Sequence, residues 1–391
     1  MRVATVDHID DIPSEEWDAL VGENNPFVEH SFLSLLESSN SVGRDTGWEP
    51  YHVTIRDDDG TLIGAAPTYL KTDSYGEYIF DWMWVDVARR LGTSYYPKIV
   101  VAVPFTPATG PRLLVHPEAN KKEVWSALVL GLQELMEAAR ASSIHILFCL
   151  DEEAEFLEEV GLVRRATHQF HWRNNNYDNF SEFLGALKSS ARKQIRKERR
   201  RVTEANIEIE LIQGDEAGPD LWGAMHKLYR ATGSKKWGTP YLTRSFFRHA
   251  QETVGPRALL GFAKEEGEIV AGTLSFQKGK HLYGRYWGSF DDIDCLHFEL
   301  CYYQLIEYAI DNNLRLLEAG AQGSHKVKRG FLPTITHSAH HMKHSIMRAA
   351  FEEFMTQERY DLDAQIEEAQ NMGPFRCETI PPFKPIAGQD A

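Results

Sequence analysis

Between residues 285 and 329 the chain gathers arginine, lysine, histidine and glutamate at spacings suited to acid–base work on an anionic substrate. Arg285-Tyr286-Trp287-Gly288 reads as the end of a strand, and His297-Phe298-Glu299 as the opening of a helix that carries Tyr302 and Tyr303. Glu318-Ala319-Gly320-Ala321-Gln322-Gly323 reads as the end of the next strand, with Lys326, Lys328 and Arg329 directly behind it. A glycine-rich loop at a strand's end lets backbone N–H groups approach a ligand, and flanking cations favour an anionic one. Glu318, closing an apolar strand, suits proton transfer; Glu299, near a helix start, suits binding as readily as general base work. Each of these residues alone could equally form a structural salt bridge. Together they are the densest reactive group in the sequence.

A second concentration of charge lies upstream. Lys188, Arg192, Lys193, Arg196, Lys197, Arg199, Arg200 and Arg201 fall within fourteen positions and are opposed only by Glu198. Helical spacing puts Lys188, Arg192, Arg196 and Arg199 on one face and Lys193, Lys197 and Arg200 on the neighbouring stripe. Phe183, Leu184, Leu187, Ile195 and Val202 supply the buried side. Like charges four apart repel, so the helix calls for anions, and phosphates of a nucleotide, coenzyme A or tRNA are candidates. A solvated basic face paired with the acidic remainder of the chain is the alternative.

Other chemistries lack their signatures. No G-x-x-x-x-G-K-[ST], no G-x-G-x-x-G after a strand, no H-E-x-x-H and no G-x-S-x-G occurs, which argues against phosphate-loop hydrolysis, dinucleotide oxidoreduction, zinc proteolysis and serine esterase chemistry. His337, His340, His341 and His344 do not make a metal site by spacing, because strand residues three apart point to opposite faces. No metal is expected. The net charge of −15 repels nucleic acid from most of the surface, so the basic run stands out. No run of 18 apolar residues exists, so no membrane span is expected. Cys149, Cys295, Cys301 and Cys377 include no C-x-x-C pair, and reduced thiols in a cytoplasm are expected.

The elements that must position these residues come in two copies. Gly161-Leu162 precedes Thr167-His168-Gln169-Phe170-His171, and Gly330-Phe331 precedes Thr336-His337-Ser338-Ala339-His340 at the same distance. Upstream, an apolar helix and strand recur: Glu134–Ala139 with Ile144–Leu147, then Gln304–Ala309 with Leu314–Leu317. Hairpins are expected over 51–66 and 258–276. Three ordered blocks point to internal duplication. The expected domains are 1–175, a first module with an aromatic insertion at 75–112, and 176–391, which holds a basic joining helix at 181–206, a second module, a C-terminal helix and a tail. The insertion, with Phe80-Asp81-Trp82-Met83-Trp84 and Tyr95-Tyr96-Pro97, could either wall a pocket or pin a loop to the core.

Arg285–Gly288, Leu296–Glu299 with Cys301–Gln304, Glu318–Gly323 and Lys328-Arg329-Gly330-Phe331-x-Pro333 closely resemble the FemAB-like N-acyltransferases. Asn25-Pro26-Phe27, Gly64–Pro67 and Pro104–Pro107 fit the same family, and the likeness covers roughly residues 20–375. Leu187–Lys197 also resembles the Lys/Arg helix of Fem-type peptidoglycan aminoacyltransferases. The resemblance implies an α/β (α+β) fold: two tandem Gcn5-related N-acetyltransferase-like modules, with mixed, mainly antiparallel sheets flanked by helices. It implies direct acyl or aminoacyl transfer to an amine, without a covalent enzyme intermediate. Glu299, Glu318 or His297 would take the amine proton, and Lys326, Arg329 or amides near Gln322 and Gly323 would stabilise the oxyanion. Lys188, Arg192, Lys193, Arg196, Arg285, Tyr286 and Trp287 would hold donor or acceptor. No tightly bound cofactor is implied; acyl-CoA or aminoacyl-tRNA would be the donor, and a small molecule or cell-wall precursor the acceptor. The Arg/Gln-x-x-Gly-x-Gly/Ala loop that grips the acetyl-CoA pyrophosphate in ordinary superfamily members is missing. A non-catalytic binding protein on the same tandem fold is the reading from another class.

Overall fold

The computed structural model describes residues 1–79, 81–235, 240–320 and 323–376, which group into two compact units. Unit 1 holds Met1–Thr167 and Ile335–Ala364; unit 2 holds His168–Thr334 and the described residues from Gln365. In chain order come β1 (Arg2–Val6), α1 (Ser14–Asp18), α2 (His30–Ser38), β2 (Trp48–Pro50), β3 (His52–Arg56), β4 (Leu62–Ala66) and β5 (Thr68–Lys71). Then follow α3 (Trp82–Arg90), β6 (Lys98–Val101), β7 (Leu114–Val115), α4 (Lys121–Ala138), β8 (Ser143–Cys149), α5 (Asp151–Glu159) and β9 (Val163–Arg173). The chain goes on through α6 (Phe180–Ala186), α7 (Ser189–Glu204), β10 (Ile207–Gln213), α8 (Pro219–Lys235) and α9 (Arg244–Val254). Next are β11 (Ala258–Glu265), β12 (Glu268–Lys278), β13 (His281–Ser289), α10 (Leu296–Phe298), α11 (Gln304–Asp311) and β14 (Leu316–Glu318). The chain ends with β15 (Leu332–Met342) and α12 (Ser345–Asn371). Among the described residues no helix is long and apolar enough to cross a membrane.

In unit 1 the expected hairpin is β3–β4, with Val53 opposite Ala66 and Ile55 opposite Gly64. Its turn closes because the Asp57 carboxylate accepts from the Asp59 and Thr61 amides at 3.0 and 2.8 Å. This hairpin lies in a small sheet ordered β1-β3-β4-β7, against which α4 lays Val124, Leu128 and Leu132. A second set of strands runs β15-β8-β6-β5-β2, with β6 and β8 parallel and the other pairs antiparallel. The insertion at 75–112 is largely pinned inward. Trp84 packs on Phe351 and Phe354 of α12, with centroids 4.6 and 5.3 Å apart, and buried Lys98 donates to Glu77, Asp81 and Ser74.

Unit 2 has the strand order β10-β11-β12-β13-β14-β9, in which only β13 and β14 run parallel. Its core gathers Trp172, Phe183, Tyr303, Ile306, Leu317 and Phe331. The basic joining segment is two helices rather than one. Asn179 caps α6 by accepting from the Glu182 amide, and the chain straightens at Leu187 before α7 begins.

The repeated glycines do the same job twice. Gly161 has φ +93° and Gly330 φ +94°, a left-handed geometry that disfavours other residues. Gly161 N–H donates to Glu158 O and Leu162 N–H to Leu157 O; Gly330 N–H donates to Val327 O and Phe331 N–H to Lys326 O. This is the double hydrogen bond of a glycine helix stop, with Leu162 and Phe331 as its buried apolar partners. Each stop launches a Thr-His-x-x-His strand, and within unit 1 the corresponding Thr167 and Thr336 hydroxyls lie 2.9 Å apart.

Candidate functional site

In unit 2 the pairing of β13 with β14 covers only His281–Tyr283 against Leu316–Glu318, while β13 runs on to Ser289. A notch therefore opens beyond Tyr283 and Glu318, and much of the sequence-derived cluster gathers around it. Lys326 is buried and its Nζ donates to the Gly320 carbonyl at 2.7 Å. Burial pushes its ammonium down to about 8, with Arg285 adding to the shift and Cys301 opposing it. His325, next to it, shares a 2.9 Å hydrogen bond between Nε2 and the Tyr302 hydroxyl. Burial, then Arg329 and Lys326, hold this imidazole below its usual range, and so favour the neutral form. The His297 ring sits edge-on to Tyr302 and to Trp287, with centroids 5.3 and 5.2 Å apart, and 6.2 Å from His325.

Glu318 is buried at the last position of β14, opposite Tyr283, with its Oε2 3.9 Å from His171 Nε2. Glu299 is differently occupied. Both its oxygens accept from Arg199 Nε at 3.0 and 3.2 Å, and Gln304 donates to one of them at 2.8 Å. Arg199 also reaches Glu307 at 2.8 Å and lies over the Phe180 ring. Arg329 is engaged as well. Its guanidinium donates to both oxygens of buried Glu198, at 3.2 and 2.7 Å, and lies 3.4 Å over the Phe298 ring. The Tyr303 hydroxyl donates to the same carboxylate.

The remaining sequence-derived residues spread out. Arg285 lies beside Tyr286, and Tyr286 packs edge-on to Tyr229 of α8 at 5.1 Å. Gly323 has φ +114° and lies under the His325 ring. Gln322 lies outside the described residues. On α7, Lys188 stands at the N-cap with Nζ donating to Gly373 O at 2.8 Å, and Arg192 reaches Gly185 O at 3.4 Å. Ile195, Glu198 and Val202 form the buried side; Lys193, Arg196 and Lys197 are exposed, with no ion pair among the described residues.

The histidines of the repeated strands have separate fates. In unit 1, His340 Nδ1 lies 2.7 Å from His145 Nδ1, each ring's other nitrogen meeting a serine, while His337 lies 3.2 Å from Asp151. In unit 2, His171 meets Gln169. Among the described residues no three His, Cys, Asp or Glu side chains group to hold a metal.

The sequence pattern of the FemAB-like family, described as acting in peptidoglycan biosynthesis and recognition, matches residues 8–377. The chain belongs to the FemAB-like family. Three solved structures share its fold. FemX is 13% identical, over 90% of this chain and 100% of that one, with a TM-score of 0.54. The C-terminal domain of a candidate lysylphosphatidylglycerol synthetase from Agrobacterium fabrum is 8% identical over 88% and 95%, at 0.53. L-PGS from Bacillus licheniformis is 10% identical over 85% and 96%, at 0.52. No curated protein matches in sequence. This FemAB-like chain is an acyltransferase in a peptidoglycan-related context, on a mixed α/β fold of mainly antiparallel sheets flanked by helices.

His325 was not singled out by the sequence. Its signal was available: it lies between Gly323 and Lys326 in the loop already picked for its cations. Only the hydrogen bond to Tyr302 separates it from the chain's other histidines.

Proposed function

We propose that the protein transfers an aminoacyl group from an aminoacyl-tRNA ester to an amine of a peptidoglycan-type precursor, in the cytoplasm. The observation that carries this choice of donor is the entry to the helix beside the notch. A helix N-terminus ordinarily favours an anion such as a pyrophosphate. Here exposed Asp291 and Asp292 precede α10, and they would repel the pyrophosphate of a coenzyme A donor. Cations suited to an RNA backbone stand instead on α7, at Lys193, Arg196 and Lys197.

In this reading the amine attacks the ester carbonyl, a C–N bond forms and the C–O bond to the terminal tRNA hydroxyl breaks. His325, neutral at physiological pH, accepts the amine proton and returns it to the leaving oxygen, with Tyr302 orienting the ring. Lys326, mostly protonated at pH 7, stabilises the oxyanion, so kcat should fall as pH rises through about 8. Glu299 and Arg329 act through the ion pairs that hold α7, α10 and the Lys326 turn in place.

The test is transfer of a labelled amino acid from aminoacyl-tRNA to an amine-bearing peptidoglycan precursor. Transfer should be abolished by RNase, and Lys326→Met should lower kcat about 10²-fold or more while leaving RNA binding intact. Transfer that survives RNase when acyl-CoA is supplied would remove the donor assignment. Full activity in both Lys326→Met and His325→Gln would remove the chemistry.

A further inference from the structure

Away from the notch, α8 and α9 flank a half-open cavity of about 460 Å³ in unit 2, within the range of small-molecule sites. Its walls carry His226, Lys227 and Arg230 from α8 and Arg244, Phe247 and Arg248 from α9. Helical spacing explains the convergence. Residues 226, 227 and 230 share one face of α8, and residues 244, 247 and 248 share one face of α9. Four permanent cations thus line one cavity in a chain whose net charge is −15. Lys227, Arg244 and Arg248 form no ion pair among the described residues.

Two further features fit an occupant. Gly223 sits one turn before Lys227 on the same wall of α8, and a Cβ there would meet nothing within 4 Å. A glycine inside a helix costs about 1 kcal/mol relative to alanine, so the open wall is kept at some cost. The half-buried His226 ring, backed 5.1 Å away by the buried Phe247 ring, adds a flat surface between the cations. Burial, then Arg230 and Arg244, hold the His226 imidazole below its ordinary range, so the positive field there comes from the lysine and arginines.

We propose that the α8–α9 cavity binds a small molecule bearing a phosphomonoester or diphosphate, the phosphate held by Lys227, Arg230, Arg244 and Arg248 and a flat portion lying on His226. Arginine forks match phosphate oxygens two at a time, and the cavity volume suits a mononucleotide or sugar phosphate rather than a folded RNA. The site goes beyond the transferase reading and involves no turnover of its own.

Calorimetric titration of the full chain with inorganic pyrophosphate and with ADP tests it, with a tRNA as the third arm. Both small probes should bind, ADP more tightly than pyrophosphate. Arg244→Ala with Arg248→Ala should weaken both at least tenfold, and Gly223→Leu, which fills the wall with a good helix former, should weaken ADP by a similar factor. Arg196→Ala should leave both unchanged. Circular dichroism of each variant separates lost binding from lost fold. No binding of either probe, equal binding in the cavity variants, or an effect of those variants on tRNA alone would each overturn the proposal. Because no transfer is measured, its failure and that of the transferase reading are distinguishable.

Discussion

Glu198 stands alone among eight cations in sequence, and its carboxylate is where α7 is fastened. Buried with Arg329, and hydrogen-bonded by Tyr303 and Gln194, it converts a helix that should repel itself into one with a fixed inner face. Removing one partner of a buried pair leaves the other charge uncompensated, which costs about 3–5 kcal/mol, whereas replacing both by apolar groups costs far less. Glu198→Gln should therefore lower unfolding free energy by about that amount in urea titration, and adding Arg329→Met should recover most of it. A single variant within about 1 kcal/mol of the parent would show that the pair does not anchor the helix. The same logic separates Glu299, whose oxygens are taken by Arg199, from Lys326 and His325, which form no ion pair among the described residues. From sequence Glu299 and Lys326 looked alike, because ionisable residues at element ends carry no mark of what they will pair with.

At the scale of elements, periodicity and turn chemistry were legible and partner choice was not. The hairpins at 52–66 and 258–278 and the strand at 281–289 follow from alternation and from the Asp-Gly and Glu-Gly turns. The helix break at Leu187 was hidden, since apolar spacing runs through it unchanged. The glycine stops were visible as a repeat, but their meaning needed the backbone. They also make a graded prediction. Alanine at Gly161 meets no neighbour and should cost only the left-handed penalty of about 1–2 kcal/mol. Alanine at Gly330 would in addition place its Cβ 2.8 Å from the Phe183 ring, so it should cost more and shift the turn that holds Lys326. Equal melting temperatures for Gly161→Ala and Gly330→Ala would contradict this.

For the whole molecule, the buried histidines set the response to acid. Burial holds His145, His171 and His340 well below the usual imidazole range, and His281 and His337 down to about 4. Each folded value lies below the unfolded one, so below pH 6.5 the unfolded chain takes up protons that the native chain does not, and stability falls as pH falls. Glu77 and Glu153, raised by burial, pull the other way, and the five histidines outnumber them. The melting temperature should be nearly flat around pH 7 and decline from 6.5 towards 4, less steeply in His145→Asn with His340→Asn. A flat profile over that interval would sink this account.

The division of β9 and β15 has a consequence for how the protein comes into being on the ribosome. Unit 1 takes its first 167 residues early, yet β8 finds its antiparallel neighbour only when β15 arrives, and Trp84 meets Phe351 later still. At about 5–20 residues per second, the nascent first half waits roughly ten to thirty seconds with one strand edge and one aromatic face uncovered. During synthesis, the most vulnerable part of the polypeptide is therefore its oldest part.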